Sequence, residues 1–231
     1  MFSDHTDFLR FLKSSIGAEI YLEIGVQAGT TLFLEPMPKL VIGVDPAFHV
    51  VTPIKSSCQC ALFRQTSDVF FDGNYFATVS ANPVDLTFVD GLHWSEFALR
   101  DVRNSERISH RKSIILVHDI APQNATMAAR KECPVAWMGD VYKIIPALQK
   151  FRPDLSLACI GDVPYAGMGV IWNLNPTDQT LFDRYDEVVA FMNTIEYERD
   201  FEALVKSTFI SYKSPEFNRM LADISSLQRQ T

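Results

Sequence analysis

Continuous runs of hydrophobic residues alternate with amphipathic segments along the first half of the chain. The runs lie at 19–26, 40–44, 61–65, 84–89 and 113–117. Continuous rather than alternating hydrophobicity is typical of parallel strands that helices cover on both faces. "WSEFALRDVRNSERI", between two of the runs, has the helical spacing that such a cover requires. The pattern predicts an α/β fold with a doubly wound, mainly parallel sheet.

Beyond Pro122 the pattern changes. "LSLACIG" and "GVIWNLN" flank a turn-rich stretch and predict a late antiparallel hairpin. "GDVYKIIPALQKF" predicts a helix that Pro146 kinks or interrupts. The segment 180–209 predicts one or two amphipathic helices, and a terminal helix follows with Ser214 as N-cap and Pro215 in its first turn.

Length and charge narrow the class of protein. The 231 residues, 47% of them hydrophobic, predict a single domain over 1–231, with an N-terminal helix over 4–15 and a C-terminal helical extension over 177–231. The net charge of −7 and the lack of a Lys/Arg run argue against nucleic acid as a partner. No stretch approaches the roughly 18 apolar residues of a membrane helix, and the N-terminus lacks the apolar centre of a signal peptide. We therefore expect a cytoplasmic protein with no membrane partner, and a homodimer through the C-terminal helices.

Candidate chemistry follows the strands, because ligands of an open parallel sheet bind at the carboxyl ends of its strands. After the first run, Gly25 permits a sharp turn and Gly29 a close approach of ligand to backbone. Asp45 follows the second run about 20 residues later, where doubly wound nucleotide sites place a carboxylate for the ribose hydroxyls. Two alternatives stay open here: the glycines serve only the turn, and Asp45 only caps it.

The next three runs also end in polar residues. "QTSDVFF" offers Ser67 or Asp68 as a helix cap or as a neighbour of a purine pocket. "FVDGLHW" and "LVHDIAP" each deliver a histidine and an aspartate to the same edge. An imidazole can take a proton from a hydroxyl near neutral pH, and carboxylates can orient it or hold a divalent cation. The candidate catalytic residues are His93, Asp90 and His118.

These segments together resemble the class I S-adenosylmethionine-dependent methyltransferases, within them the small bacterial O-methyltransferases of the methyltransferase family 24 type. "YLEIGVQAGTTL" resembles the first motif, "VIGVDPA" the second, "VDLTFVDGLHWSEFALRDV" the fourth-strand segment and "IILVHDIAP" the fifth. The resemblance implies a seven-stranded Rossmann-like sheet. It also implies S-adenosylmethionine as cofactor, bound by Glu23, Gly25, Val26, Gln27, Gly29, Thr30, Thr31, Asp45, Ser67, Asp68, Asp90 and Gly91.

The resemblance further implies a reaction. His93 would deprotonate a hydroxyl of a small-molecule acceptor, such as a sugar or natural-product intermediate, whose oxygen then attacks the methyl group. Trp94, Trp137 and Tyr165 are candidate walls of the acceptor pocket, with core packing as the alternative. Gln27 departs from the common first motif, where a glycine stands. A second departure is His118-Asp119 in place of an acidic pair, so a divalent cation such as Mg²⁺, with Asp90 and Asp119 as ligands, stays an open alternative.

Three other functions fit parts of the pattern. A non-catalytic protein that binds S-adenosylmethionine or a nucleotide would need no histidines at the strand ends. A nicotinamide-dependent oxidoreductase would place a diphosphate beside Glu23, and like charges repel. A metal-dependent hydrolase could use Asp90, His93, His118 and Asp119.

Overall fold

The computed structural model describes residues 2–53, 58–134, 136–164 and 166–229. Eight strands are present in this part of the chain and form one sheet. Their bounds are β1 (Ile20–Ile24), β2 (Leu40–Val44), β3 (Gln59–Phe63), β4 (Val84–Val89), β5 (Ser109–His118), β6 (Ser156–Ile160), β7 (Met168–Trp172) and β8 (Phe209–Ile210).

The strand order is β3-β2-β1-β4-β5-β7-β6-β8. The five strands from β3 to β5 are parallel, β7 is antiparallel to both of its neighbours, and β8 adds a short parallel edge strand beside β6. This arrangement confirms the predicted doubly wound, mainly parallel sheet with a late hairpin, with eight strands in place of seven. The order reverses between β1 and β4, and such a switch point opens a crevice for ligands.

Helices cover the sheet on both faces. Their bounds are α1 (His5–Ile16), α2 (Ser67–Asp72), α3 (Phe76–Val79), α4 (Ser95–Arg107), α5 (Ile144–Phe151), α6 (Thr180–Asp183), α7 (Tyr185–Asn193), α8 (Tyr197–Leu204) and α9 (Pro215–Arg229). None of the helices among the described residues combines the length and the apolar content that crossing a bilayer requires.

The two faces of the sheet explain the continuous hydrophobic runs. Leu22 and Ile24 of β1 pack into one core with α4, α5 and α7. Tyr21, directly before Leu22 in the strand, points to the opposite face and packs into the other core with residues of α1 and α9. Because successive side chains of a strand point to opposite faces, a strand with two cores is apolar at nearly every position.

Several local predictions need correction. The doubly wound pattern predicted a helix between the first two runs, but residues 25–39 form turns and no helix links β1 to β2. The side chain that caps α2 is Thr66, which accepts a hydrogen bond from the Val69 N–H, rather than Ser67 or Asp68. Pro146 neither kinks nor interrupts a helix, because it lies in the first turn of α5, which begins two residues before it. The N–H groups of a first turn have no partner within the helix, so a proline, which has no N–H, loses no hydrogen bond there. Residues 180–209 contain three α-helices where one or two were expected.

Ser214 and Pro215 match the prediction at the terminal helix. The Ser214 hydroxyl oxygen accepts a hydrogen bond from the Phe217 N–H, and α9 begins at Pro215.

Candidate active site

Two histidines and two aspartates meet where β4 and β5 end. The strands are parallel and in register, with Val89 opposite Val117, so the residues that follow them are brought to the same edge. His93 Nε2 lies 3.0 Å from Asp119 Oδ2 and 3.6 Å from Asp90 Oδ1. His118 Nδ1 lies 3.1 Å from Asp90 Oδ1 and 3.5 Å from Asp119 Oδ2. Each imidazole therefore faces both carboxylates, and we call these four residues the strand-end cluster.

Within the strand-end cluster, the carboxylates favour the charged form of the histidines, and the histidines favour the charged form of Asp90. Burial alone would lower the pKa of His93, but hydrogen bonds to Asp119 and Asp90 outweigh it and raise that pKa to about 10. The same two carboxylates outweigh the burial of His118 and raise its pKa well above the usual value. Burial opposes ionisation of Asp90, yet the charge and hydrogen bond of His118 hold the pKa of Asp90 below its usual range. Both imidazoles are therefore doubly protonated, and positively charged, at neutral pH in this arrangement.

A segment far along the chain fixes the orientation of His93. His93 Nδ1 lies 2.9 Å from the backbone oxygen of Trp137. Because a carbonyl only accepts, Nδ1 must carry a proton and Nε2 is the nitrogen that faces the carboxylates. Asp140 N donates to the backbone oxygen of His93 at 3.2 Å. Between them Gly139 has φ +60°, and a Cβ there would lie 1.7 Å from that same oxygen. Residues 137–140, the His93 clamp, thus hold the histidine from both sides.

His5, which the sequence pattern did not single out, also reaches the cluster. It is the first residue of α1, and its ring lies 4.6 Å from the His118 ring, centroid to centroid. Burial and the nearby His118 lower the pKa of His5. Among the described residues, neither His5 Nδ1 nor His118 Nε2, both buried, has a hydrogen-bond partner. A histidine at the start of a helix gives no local sign of such a contact, because the contact depends on how α1 packs.

The glycine loop lies beside the cluster. Gly25 has φ +92°, and a Cβ there would lie 1.9 Å from the Asp90 backbone oxygen, so this glycine allows β1 and β4 to approach. Asp45 Oδ2 accepts hydrogen bonds from the N–H groups of Val26 and Gln27, both at 2.9 Å. Gln27, where the common motif has glycine, has a positive φ of 44°. Asp45 therefore ties the loop to β2.

Glu23 and Thr31 lie in a buried network rather than at the open edge. The Glu23 carboxylate accepts hydrogen bonds from the Tyr21 hydroxyl at 2.5 Å and from the Thr31 hydroxyl at 2.8 Å. Lys13 Nζ donates to the Thr31 backbone oxygen at 3.2 Å. Burial, which these hydrogen bonds and Lys13 only partly offset, raises the pKa of Glu23 to about 7. The remaining loop residue, Thr30, is exposed.

Asp68 and the aromatic candidates have structural partners. Arg100 donates to both carboxylate oxygens of Asp68 at 2.8 Å and so joins α4 to α2. Trp94 Nε1 donates to the backbone oxygen of Arg130, and Trp137 Nε1 to that of Ala129. Tyr165 lies outside the described residues.

Asp101 is a buried carboxyl group that the sequence pattern did not single out. It lies on α4 with 3% of its surface exposed. Burial, only partly offset by a hydrogen bond with Ser67, raises its pKa from 3.8 to about 7. The sequence offers one sign of this burial: Asp101 is a polar residue between Leu99 and Val102, on the apolar face of a predicted helix.

Asp101 leads to a prediction about stability and pH. Its folded-state pKa exceeds its unfolded value, so the native protein binds the extra proton and loses stability as pH rises from about 4 to 7. A shift of this size corresponds to roughly 4 kcal/mol of unfolding free energy. Asp101→Asn cannot ionise, so it should match wild type near pH 4 and be more stable by up to that amount at pH 8. Urea unfolding at both pH values measures this, and equal wild-type and variant curves at pH 8 would contradict it.

A metal could use part of the cluster. Asp90, His93 and Asp119 each offer one ligand atom, and these atoms lie within 4.8 Å of one another. Magnesium prefers oxygen ligands in octahedral geometry, whereas imidazole suits zinc, iron and similar ions. The donor set therefore fits a divalent transition metal better than magnesium.

Comparisons with known proteins agree with this architecture. Residues 22–120 match the family model described as a methyltransferase domain. Cofactor-bound Rv0187 from MTB is 17% identical, covers 76% of this chain and 82% of its own, and superposes with a TM-score of 0.53. The O-methyltransferase TomG from Streptomyces achromogenes, involved in tomaymycin synthesis and solved with SAM, is 15% identical with coverages of 74% and 80% and a TM-score of 0.51. No curated protein matches the chain. At these identities the two structures show the fold, and the family model confirms the predicted resemblance to methyltransferases.

Proposed function

We propose that this chain, which carries a methyltransferase domain in residues 22–120, transfers a methyl group from S-adenosylmethionine to a hydroxyl of a small molecule. One observation carries the proposal. The strand-end cluster meets the glycine loop at the switch point of the sheet, where Asp90 N donates to the backbone oxygen of Ile24 at 2.8 Å. Proton-transfer groups and a nucleotide-type loop are thus adjacent.

The residues of the loop suit the cofactor. Asp45 Oδ2 already accepts two backbone N–H groups, but Oδ1 accepts only that of Ala47 and keeps a lone pair for a ribose hydroxyl. Asp90 and Asp119 balance the charges of the two protonated imidazoles, so this edge becomes anionic, and suits a cationic sulfonium, once His93 has released its Nε2 proton. When bound, S-adenosylmethionine supplies an electrophilic methyl group on that sulfur.

His93 is our candidate for the proton acceptor. Its Nδ1–H is anchored on the Trp137 backbone oxygen, so Nε2 is the nitrogen free to change protonation. Because the pKa of His93 is about 10, Nε2 must first release its proton, and a cationic cofactor bound beside it would favour that release. Asp119, 3.0 Å away, stabilises the imidazolium that forms when Nε2 takes a proton from the acceptor hydroxyl. Asp90 and His118 hold Asp119 and the imidazole in place.

A metal at Asp90, His93 and Asp119 would use the Nε2 lone pair that the base needs. Bound there, a cation would polarise an acceptor oxygen as a Lewis acid. The two roles of His93 therefore exclude each other. Titration calorimetry with Mn²⁺ and Mg²⁺ separates them, since a base at His93 requires that neither ion binds.

A cavity in the segment that follows β5 offers room for an acceptor. Its volume is about 490 Å³, and it is lined by Ala121 and Pro122, the second and third residues after Asp119, and by Tyr197 and Phe201 of α8. The Tyr197 hydroxyl donates to the Pro122 backbone oxygen at 2.8 Å and fixes that wall. Cavities of this size hold small organic ligands. We assign the acceptor to this cavity.

Calorimetry tests the cofactor assignment without knowledge of the acceptor. We expect S-adenosylhomocysteine to bind with one site per chain and NAD to show no heat. Labelled S-adenosylmethionine with a panel of sugars, phenols and hydroxylated natural products should then identify an acceptor. Binding of NAD in place of S-adenosylhomocysteine would overturn the proposed function.

A further inference from the structure

Lys13 is a buried cation of α1 that has no part in the proposed reaction. It has 1% of its surface exposed. Its Nζ lies 3.7 Å from the centroid of the Tyr21 ring and donates to the Thr31 backbone oxygen at 3.2 Å. Lysines are almost never fully buried unless other groups compensate for the lost water, so these contacts need an explanation. Lys13 joins α1 both to β1 and to the end of the glycine loop.

The Glu23 carboxylate supplies the opposite charge. Tyr21 and Thr31, the two residues that Lys13 contacts, also donate their hydroxyl groups to this carboxylate. Burial lowers the pKa of Lys13, and the charge of Glu23 opposes that change. Burial raises the pKa of Glu23, and the charge of Lys13 opposes it in turn. Lys13 and Glu23 therefore share two partners, and each favours the charged form of the other.

The apolar face of α1 packs against the same loop. Leu12 lies in one hydrophobic core with Val26, in the loop, and with Leu32, directly after Thr31. The whole of α1 precedes the segment 22–120 that matches the methyltransferase family model. A part of the chain outside that segment therefore supports the loop to which we assign the cofactor.

We propose that Lys13 is a positioning residue for the cofactor. By balancing the charge of Glu23 it keeps Thr31 hydrogen-bonded to that carboxylate, and so keeps residues 25–31 in the conformation that binds S-adenosylmethionine. This inference rests on the proposed function, because it requires that the glycine loop holds the cofactor. Removing one partner of a buried charge pair leaves the other uncompensated, which costs more than removing both. Without Lys13, the end of the loop moves to bring the Glu23 carboxylate to water.

Calorimetry with S-adenosylhomocysteine at pH 7.5 tests this role in a double-mutant cycle. Lys13→Met should raise the dissociation constant by about tenfold or more and keep one site per chain, because the protein is folded but its loop is displaced. In Glu23→Gln no charge needs balancing, so adding Lys13→Met to that variant should raise the constant less than about threefold. Neutral replacement of a buried charge pair is often well tolerated, so this second comparison stands even if Lys13→Met alone does not fold.

Lys112→Met is the matched control. Lys112 Nζ also donates to a backbone oxygen at 3.2 Å, that of Gln228. Lys112 lies near the start of β5, whereas the glycine loop follows the end of β1, so the two lysines are at opposite edges of the sheet. The same chemical change at Lys112 should leave the affinity for S-adenosylhomocysteine unchanged.

The number of sites and the dissociation constant separate the possible outcomes. Fewer sites with an unchanged constant in Lys13→Met would mean that the lysine only stabilises the fold. An equal loss of affinity with Glu23 and with Gln at position 23 would mean that Lys13 does not act through the carboxylate. Either result overturns the role of Lys13 and leaves the proposed function intact. If wild type does not bind S-adenosylhomocysteine, both proposals fail.

Discussion

Gly139→Ala is expected to lower methyl transfer about 100-fold and to destabilise the fold by about 2–5 kcal/mol. The added Cβ would lie 1.7 Å from the backbone oxygen of His93 and 2.7 Å from its carbonyl carbon, so the turn that carries His93 must move. The φ of +60° adds strain for any residue with a side chain. Initial rates with the acceptor found in the panel and urea unfolding measure the two effects.

Gly17→Ala is the control for backbone strain. Gly17 also has φ +60°, but a Cβ there would meet no atom within 4 Å. This variant should lose only about 1–2 kcal/mol and keep its activity. If both variants behave alike, the clash with His93 is unimportant and the His93 clamp does not position the histidine.

The sequence pattern predicts the strand-end cluster well for a simple reason. Asp90 and His118 each stand at or directly after an apolar run, and neighbouring parallel strands must bring such positions together. Two strands, β2 and β4, begin and end where the runs do. A strand buried on both faces is visible in the sequence because its apolar run stops where burial stops.

Features that depend on distant packing were not predictable in this way. The Trp137 backbone oxygen reaches His93 across 44 residues, and a backbone acceptor has no sequence signature. The two residues of β8 are too few to show a period, and they become a strand only through pairing with β6. The turn-rich connection from β1 to β2 replaces a helix because only 15 residues, two of them prolines, separate the strands.

His93→Ala should lower turnover by about 10²–10⁴-fold while the affinity for S-adenosylhomocysteine changes less than threefold. The reason is that Nε2 is the one imidazole nitrogen of His93 left for proton transfer, since Nδ1 is held by Trp137. His110→Ala is the matched control: His110 pairs with Asp85 at 2.9 Å at the far end of the same two strands. Single-turnover rates and calorimetry on both variants measure the contrast, and full turnover in His93→Ala would exclude His93 as the base.

A large loss in His93→Ala could also arise from a lost metal ligand, and two further measurements separate the causes. If His93 is the base, added imidazole should restore part of the rate, because a free imidazole can occupy the space and take the proton. If His93 is a ligand, the wild-type protein should contain a divalent metal by elemental analysis, and the variant should lose it. The base assignment therefore requires rescue by imidazole together with a metal-free, active wild-type protein. Rescue is expected only while Asp119, 3.0 Å from Nε2 in the native site, remains to stabilise the imidazolium, so it should fail in His93→Ala combined with Asp119→Asn.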